Sequence, residues 1–132
     1  MGSDIRQIIV MRKDLGMRKG KMIAQGAHAS MKVLLDCAET YRALGDDSWL
    51  RVALTDDMLA WVDGIFTKIC VSVDSEEELL RIYKQAQDIG LPAALIQDAG
   101  LTEFKEPTYT CCAIGPATKQ DLDPITGHLK LL

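Results

Sequence analysis

The sequence has no apolar run of about 18 residues, the length a membrane span needs. The short apolar stretch Ile8 to Met11 lacks the pattern of a signal peptide. Cysteine is sparse. Cys37, Cys70, Cys111 and Cys112 form no Cys-x-x-Cys pair, and the adjacent two would point to opposite faces of a strand. That suits neither a metal site nor a disulfide framework, and four buried, reduced thiols in a cytoplasmic protein are expected. No Gly-x4-Gly-Lys-Ser/Thr loop and no Gly-x-Gly-x-x-Gly occurs, which disfavours a nucleotide-phosphate cradle or a dinucleotide fold. Without a Gly-x-Ser-x-Gly elbow or a His-Glu-x-x-His helix, serine-hydrolase and metal routes lack support. Internal repeats and low-complexity segments are also missing.

What is present has an ordinary globular composition. The 132 residues are 48% hydrophobic and 26% charged, which suits one domain over residues 1–132. A chain of this length buries roughly two-thirds of its unfolded surface and folds without staples. The formal net charge of -4 argues by itself against a nucleic-acid partner. Its distribution argues otherwise. Between residues 5 and 35 seven basic side chains (Arg6, Arg12, Lys13, Arg18, Lys19, Lys21, Lys32) face Asp14 alone, giving +6, and the remainder carries -10.

Read in order, Ile8–Met11 is a strand covered on both faces, and the loop from Arg12 to Gly20 leads into a helix opening near Lys21. At about 100° per residue, Ile23, Ala27, Met31, Leu34 and Ala38 share an apolar stripe predicted to pack on the sheet. Lys21, Gln25, His28 and Lys32 fall opposite, where a ligand could sit. A second helix lies between Trp49 and Val62, with Asp56-Asp57 solvating it or starting its last turns. The alternation from Ile65 to Val73 predicts a strand. Ser75 with Glu78 forms a capping box for a helix whose face is Leu79, Ile82, Tyr83, Ala86 and Ile89, ended by Gly90. Ala93–Ile96 reads as a short buried strand followed by a turn, Gln97-Asp98-Ala99-Gly100. Tyr109–Ile114 is a last strand broken by Gly115-Pro116, and Thr118 with Asp121 starts a final helix. Alternating strands and helices imply an α/β fold with helices on both faces of a small twisted sheet. The link between the last two strands is too short for a crossover helix, so the last strand should run antiparallel.

Ligands of such sheets gather beyond the carboxyl ends of the parallel strands, where the basic loop after Met11 and the turn holding Asp98 are expected. Lys19-Gly20-Lys21, at the start of a helix, is either an anion site or a solvated loop. Asp98 is either functional or a turn-forming aspartate bonded to its own backbone. His28 is ambiguous in the same way.

Four segments carry a resemblance that composition does not show. MRKDLGMRKGKMIAQGAHASM at 11–31, LPAALIQDAGLTE at 91–103, AIGPA at 113–117 and TGHLKLL at 126–132 resemble the type 2 peptidyl-tRNA hydrolase family, in the right order and across almost the whole chain. The resemblance implies a three-layer α/β/α sandwich with a mixed four-stranded sheet. It implies cleavage of the ester joining a peptide to the 3′ end of tRNA, without metal or other cofactor, by a protein that commonly forms homodimers. The family's functional residues map onto Lys21, Gln25, His28, Asp98 and Thr102, and Lys19 fits the neighbouring basic position. In that reading Asp98 orients and helps deprotonate the water. Lys21 stabilises the carbonyl oxygen's negative charge or holds the terminal phosphate, Thr102 and Gln25 are hydrogen-bonding partners, and His28 orients one of them. A nearby lysine would also lower the Asp98 pKa, so positioning matters more than proton abstraction. Phosphate contacts are assigned to Arg12, Lys13, Arg18, Lys19 and Lys21, with the acceptor stem read by shape. The chain departs from the family at Gln97, where Arg is usual, at Ile23, and at Glu106-Pro107-Thr108. A catalytically impaired member acting as an RNA-binding or translation-associated module is the alternative, and an unrelated small-ligand domain of the same class is the third reading.

Overall fold

The apolar residues Ile8–Met11 form the centre of strand β1 (Ile5–Arg12), and all four are buried in the computed structural model, which describes residues 4–42 and 48–132. The chain continues through α1 (Lys19–Leu35), β2 (Ala38–Arg42), β3 (Ser48–Val52) and α2 (Asp56–Asp63). It ends with β4 (Lys68–Val73), α3 (Glu76–Asp88), β5 (Ala93–Asp98), β6 (Thr108–Thr118) and α4 (Lys119–Thr126). The main sheet has the order β4-β1-β6-β5. β1 pairs parallel with β4 and antiparallel with β6, which pairs antiparallel with β5. Three strands therefore run one way and the last runs against them.

Alternation along the central strands divides the core into two layers. Ile9, Met11, Ala94, Ile96, Cys111 and Ala113 pack with Ala29 and Val33 of α1 and Met58 of α2. On the other side Ile8, Val10, Val71, Cys112 and Ile114 meet Leu79, Ile82 and Ala86 of α3 and Leu122 and Ile125 of α4. The result is the expected α/β/α sandwich with a mixed four-stranded sheet. Three helices open on a side chain that accepts an amide proton of the first turn: Thr55 from Met58, Ser75 from Glu78 and Thr118 from Asp121. Caps of this kind contribute about 1 kcal/mol each.

Several details differ from the sequence reading. The buried residues of α1 are Gln25, Gly26, Ala29 and Val33, whereas Ile23 is 72% and Met31 60% exposed. Small residues let the helix lie close on the sheet, and Gln25 is admitted because both ends of its amide find partners there. α1 stops before Ala38, which starts an unanticipated hairpin with Ala38 opposite Val52. In α2 the aspartates occupy the first turn, where the helix dipole favours them. β4 begins at Lys68 because Phe66 takes a left-handed φ of 65°. β6 continues through Gly115-Pro116, since the Gly115 N–H donates to the Pro92 carbonyl at 2.8 Å and Ala117 pairs with Arg6 beyond a register shift. Ile89 lies on the exposed side of the end of α3. Only two of the four thiols are buried. Burial pushes Cys111 up to about 12 and Cys112 higher, whereas Cys37, after α1, and Cys70, on the outer strand β4, are exposed.

Candidate active site

β1 and β5 run in the same direction, so Arg12 and Asp98, their last residues, lie at one end of the sheet. α1 starts above this end, and Lys21 and Gln25, four residues apart, stack on one helix flank. They meet Asp98. Lys21 Nζ donates to Asp98 Oδ1 at 2.5 Å and to Thr102 Oγ1 at 2.7 Å. Gln25 Nε2 donates to the same Oδ1 at 3.3 Å, and its Oε1 accepts from the buried Thr110 hydroxyl at 2.5 Å. Asp98 Oδ2 accepts from the Gly100 N–H at 2.9 Å. Gly100 is required there: its φ is +82°, and a Cβ would stand 2.5 Å from the Glu106 carbonyl carbon.

The Lys21 and Asp98 side chains are only 12% and 11% exposed. The Lys21 ammonium, then the Gly100 amide and more weakly Gln25, hold the Asp98 carboxyl below the usual carboxylate range against the opposing effect of burial. Phe104 walls the site, its ring centre 5.6 Å from Lys21 Nζ. Counting donors and acceptors shows what is left for a ligand. Oδ1 carries two donors and Oδ2 one, so Oδ2 can accept from one water. Two of the three Lys21 N–H groups are used, so one can donate to a developing oxyanion. The cluster can hold a water and an electrophilic oxygen side by side.

The other residues singled out in the sequence fall differently. His28, one turn beyond Gln25, is exposed and makes no hydrogen bond to the cluster. Arg12 is held inside the protein: it is 9% exposed and donates to both Asp14 oxygens at 3.1 and 2.7 Å and to the Tyr109 carbonyl at 3.0 Å, which uses three of its five N–H groups. Lys21 is likewise committed to Asp98 and Thr102. Lys13, Arg18 and Lys19 remain exposed, with Arg18 3.8 Å from Glu103. The first turn of α1 holds no acidic residue, and Arg18 at its N-cap makes no side-chain cap, which leaves amides pointing outward beside these cations. Gln97 is exposed on β5.

Sequence reasoning placed Gly100 in the turn with Asp98 but gave it no role, and it missed Thr110 and Phe104. The one available signal was a hydroxyl at Thr110 within an otherwise apolar strand. Among the described residues no three His, Cys, Asp or Glu side chains are grouped to hold a metal ion, and no helix is long and apolar enough to cross a membrane.

The family model described as Peptidyl-tRNA hydrolase PTH2 matches residues 5–132. A peptidyl-tRNA hydrolase of Methanocaldococcus jannaschii is 43% identical over 128 residues, covering 97% of this chain and 100% of that protein. Proteins of the same name from Sulfurisphaera tokodaii and Thermococcus onnurineus are 41% and 38% identical over 127 residues. Each alignment covers 96% of this chain, with 98% and 97% of the relative.

Proposed function

The chain belongs to the peptidyl-tRNA hydrolase PTH2 family, and from that premise we propose that it cleaves the ester of peptidyl-tRNA at the Lys21–Asp98 cluster, releasing the peptide and free tRNA for translation. The observation that carries the site assignment is the convergence of Lys21, Gln25 and the Gly100 amide on one enclosed carboxylate. Water held by Asp98 Oδ2 attacks the ester carbonyl, and the free Lys21 N–H meets the oxygen that becomes negative. The carbon–oxygen bond to the tRNA then breaks, and the proton from the water ends on the departing 3′ oxygen. Thr102 and Gln25 fix the lysine and the carboxylate. His28, exposed one turn beyond Gln25, borders the cleft along α1 rather than the cluster. The reading invokes no metal and no cofactor, because charge stabilisation falls to Lys21.

In this reading residues 1–132 act as one domain, and Lys13, Arg18, Lys19 and the free amides of the first turn of α1 hold tRNA phosphates. A substrate made on the ribosome supports a cytoplasmic location. The exposed apolar residues Ile23, Met31 and Phe66, which border a groove of about 650 Å³ between α1 and β4, support association of two copies. Light scattering is expected to give a dimer, and Ile23→Glu a monomer.

The test of the activity is release of labelled peptide from peptidyl-tRNA. Wild type turns over with or without EDTA, and Asp98→Asn loses about 10²-fold or more in kcat. Wild-type turnover by Asp98→Asn would sink the assignment.

A further inference from the structure

The peptide half of a peptidyl-tRNA varies in sequence, so an enzyme that accepts it in general must grip the backbone that all peptides share. This inference rests on the hydrolase reading and concerns the edge of the sheet beside its site. The two edges of the sheet are treated differently. At β4 the C-terminal residues close the edge: the Ser72 N–H donates to the Lys130 carbonyl at 2.9 Å, and the Leu132 N–H to the Cys70 carbonyl at 3.1 Å. At the other edge β5 pairs with β6 alone, and no other backbone hydrogen bond reaches Ala93–Asp98 among the described residues. In an antiparallel pair every second residue of an edge strand turns both its N–H and its C=O outward.

Free edges are normally guarded by lysine, proline or an inward-pointing charge, because they invite another strand. β5 reads Ala-Ala-Leu-Ile-Gln-Asp, with no basic residue and no proline, and its only charge is the Asp98 already held by Lys21. The open edge therefore leads to the reacting carboxylate, past one register shift against β6 between Ile96 and Gln97. Beside it lies a cleft of about 380 Å³, bordered by Ile96 of β5 and by His28, Met31, Lys32 and Leu35 of α1. It starts one turn beyond Gln25 and follows the helix away from Asp98, where alternate side chains of a strand laid on β5 would enter. His28 and Lys32, left outside the catalytic cluster, line this path.

We propose that the peptide moiety of the substrate adds to β5 as a short strand. Its esterified carboxyl end lies beside Asp98 and its chain runs back toward Ala93, so the added strand is parallel to β5. Backbone hydrogen bonds supply sequence-independent affinity, and the α1 cleft accepts alternate side chains.

The test uses the full chain and N-acetylated alanyl-tRNAs carrying one to four alanines, together with tetra-alanyl substrates methylated at one backbone nitrogen. kcat/KM is expected to rise about threefold to tenfold for each hydrogen bond added along the edge, and to fall by the same factor when an amide facing β5 is methylated. Hydrogen exchange with a non-hydrolysable 3′-amide-linked tetra-alanyl adenosine is expected to slow at Ala93–Asp98. Hydrolysis indifferent to length and methylation, or unchanged exchange at Ala93–Asp98 with that ligand bound, overturns the strand and leaves the hydrolase reading standing. Slowed exchange there on raising protein concentration alone also overturns it, in favour of a second copy at this edge. Failure to cleave any of the substrates removes both readings.

Discussion

Replacing Thr110 with valine keeps the shape of a fully buried side chain and deletes one hydroxyl, the group that donates to Gln25 Oε1 at 2.5 Å. Gln25 is 3% exposed, so water does not reach the abandoned carbonyl freely. A buried acceptor left without its donor costs about 1–3 kcal/mol. For a chain of this size that lowers Tm by about 4 °C per kcal/mol, so a fall of about 4–12 °C is expected. The second effect falls on the reaction. The hydroxyl fixes which way the Gln25 amide faces and so aims Nε2 at Asp98 Oδ1. Lys21 and Gly100 still hold the carboxylate, which confines the damage: kcat for peptide release should fall about tenfold, toward the 10²-fold that a misplacement of about 1 Å costs, with KM unchanged. Thr110→Ser separates the two effects, since it keeps the hydroxyl but opens a methyl-sized void; it should lose stability and keep kcat. Both variants are assayed well below their melting temperatures. Wild-type kcat in Thr110→Val, or equal loss of kcat in both variants, refutes the positioning role.

The remaining expectations address the carboxylate, two glycines and the basic surface. A carboxylate whose folded pKa is depressed adds stability above its unfolded value of about 3.9 and loses it as pH falls through the folded value. Lys21→Met removes the largest cause of the depression, so the Asp98 titration followed by carbon NMR should move up, and acid unfolding should begin at higher pH. Gly26→Ala should stabilise by about 0.5–1 kcal/mol in urea unfolding, because the new Cβ would meet Ile9 Cγ2 at 3.7 Å, an ordinary contact. Gly100→Ala, with no room beside Glu106, should cost about 10²-fold in kcat through displacement of the Asp98 turn while the far-ultraviolet circular dichroism stays native. With Arg12 and Lys21 engaged inside the protein, the exposed cations at the α1 entrance are Lys13, Arg18 and Lys19. The logarithm of tRNA affinity should therefore fall against log salt with a slope of about -3 rather than the -4 to -5 of five contacts, as a filter-binding titration will show.

What the sequence disclosed follows the range of its causes. Ser75 and Glu78 are three residues apart and mark the start of α3 without help from the rest of the chain. The buried run in β1, the opposite faces of Cys111 and Cys112, and the Lys21–Gln25 spacing are equally local. The rotation of α1 is set from a distance. Apolar counting turned Ile23 and Met31 inward, but Gln25 is drawn in by Thr110, 85 positions along the chain, and carries Gly26 and Ala29 with it. Arg12 looked like a phosphate contact because its Tyr109 partner lies 97 positions away. Gly115-Pro116 reads as a strand end, yet the Gly115 bond to the Pro92 carbonyl and the Ala117–Arg6 pair beyond it keep the strand in the sheet. The members of the cluster were nameable from their segments, whereas its orientation, and Thr110 beneath it, depended on the packed sheet.

The same hydrogen bonds that hold Asp98 determine which bond the proposed site can break. Donors from Lys21, Gln25 and Gly100 keep the carboxyl low, so at neutral pH it draws a proton from water with little driving force. In the proposed mechanism it supplies a fixed acceptor for the water, and Lys21 a fixed charge for the oxyanion. An ester needs little more, because its alkoxide leaves readily. An amide nitrogen must gain a proton as it departs and requires a group able to deliver one near neutral pH, most often an imidazole. The cluster contains no such group. Lys21 is engaged by Asp98 and Thr102, Gln25 and Thr102 do not titrate, and His28 lies outside the hydrogen-bonded set. Peptide bonds on the same substrate are therefore spared by a site that opens its ester, and the selectivity arises from the proton donor that the cluster lacks.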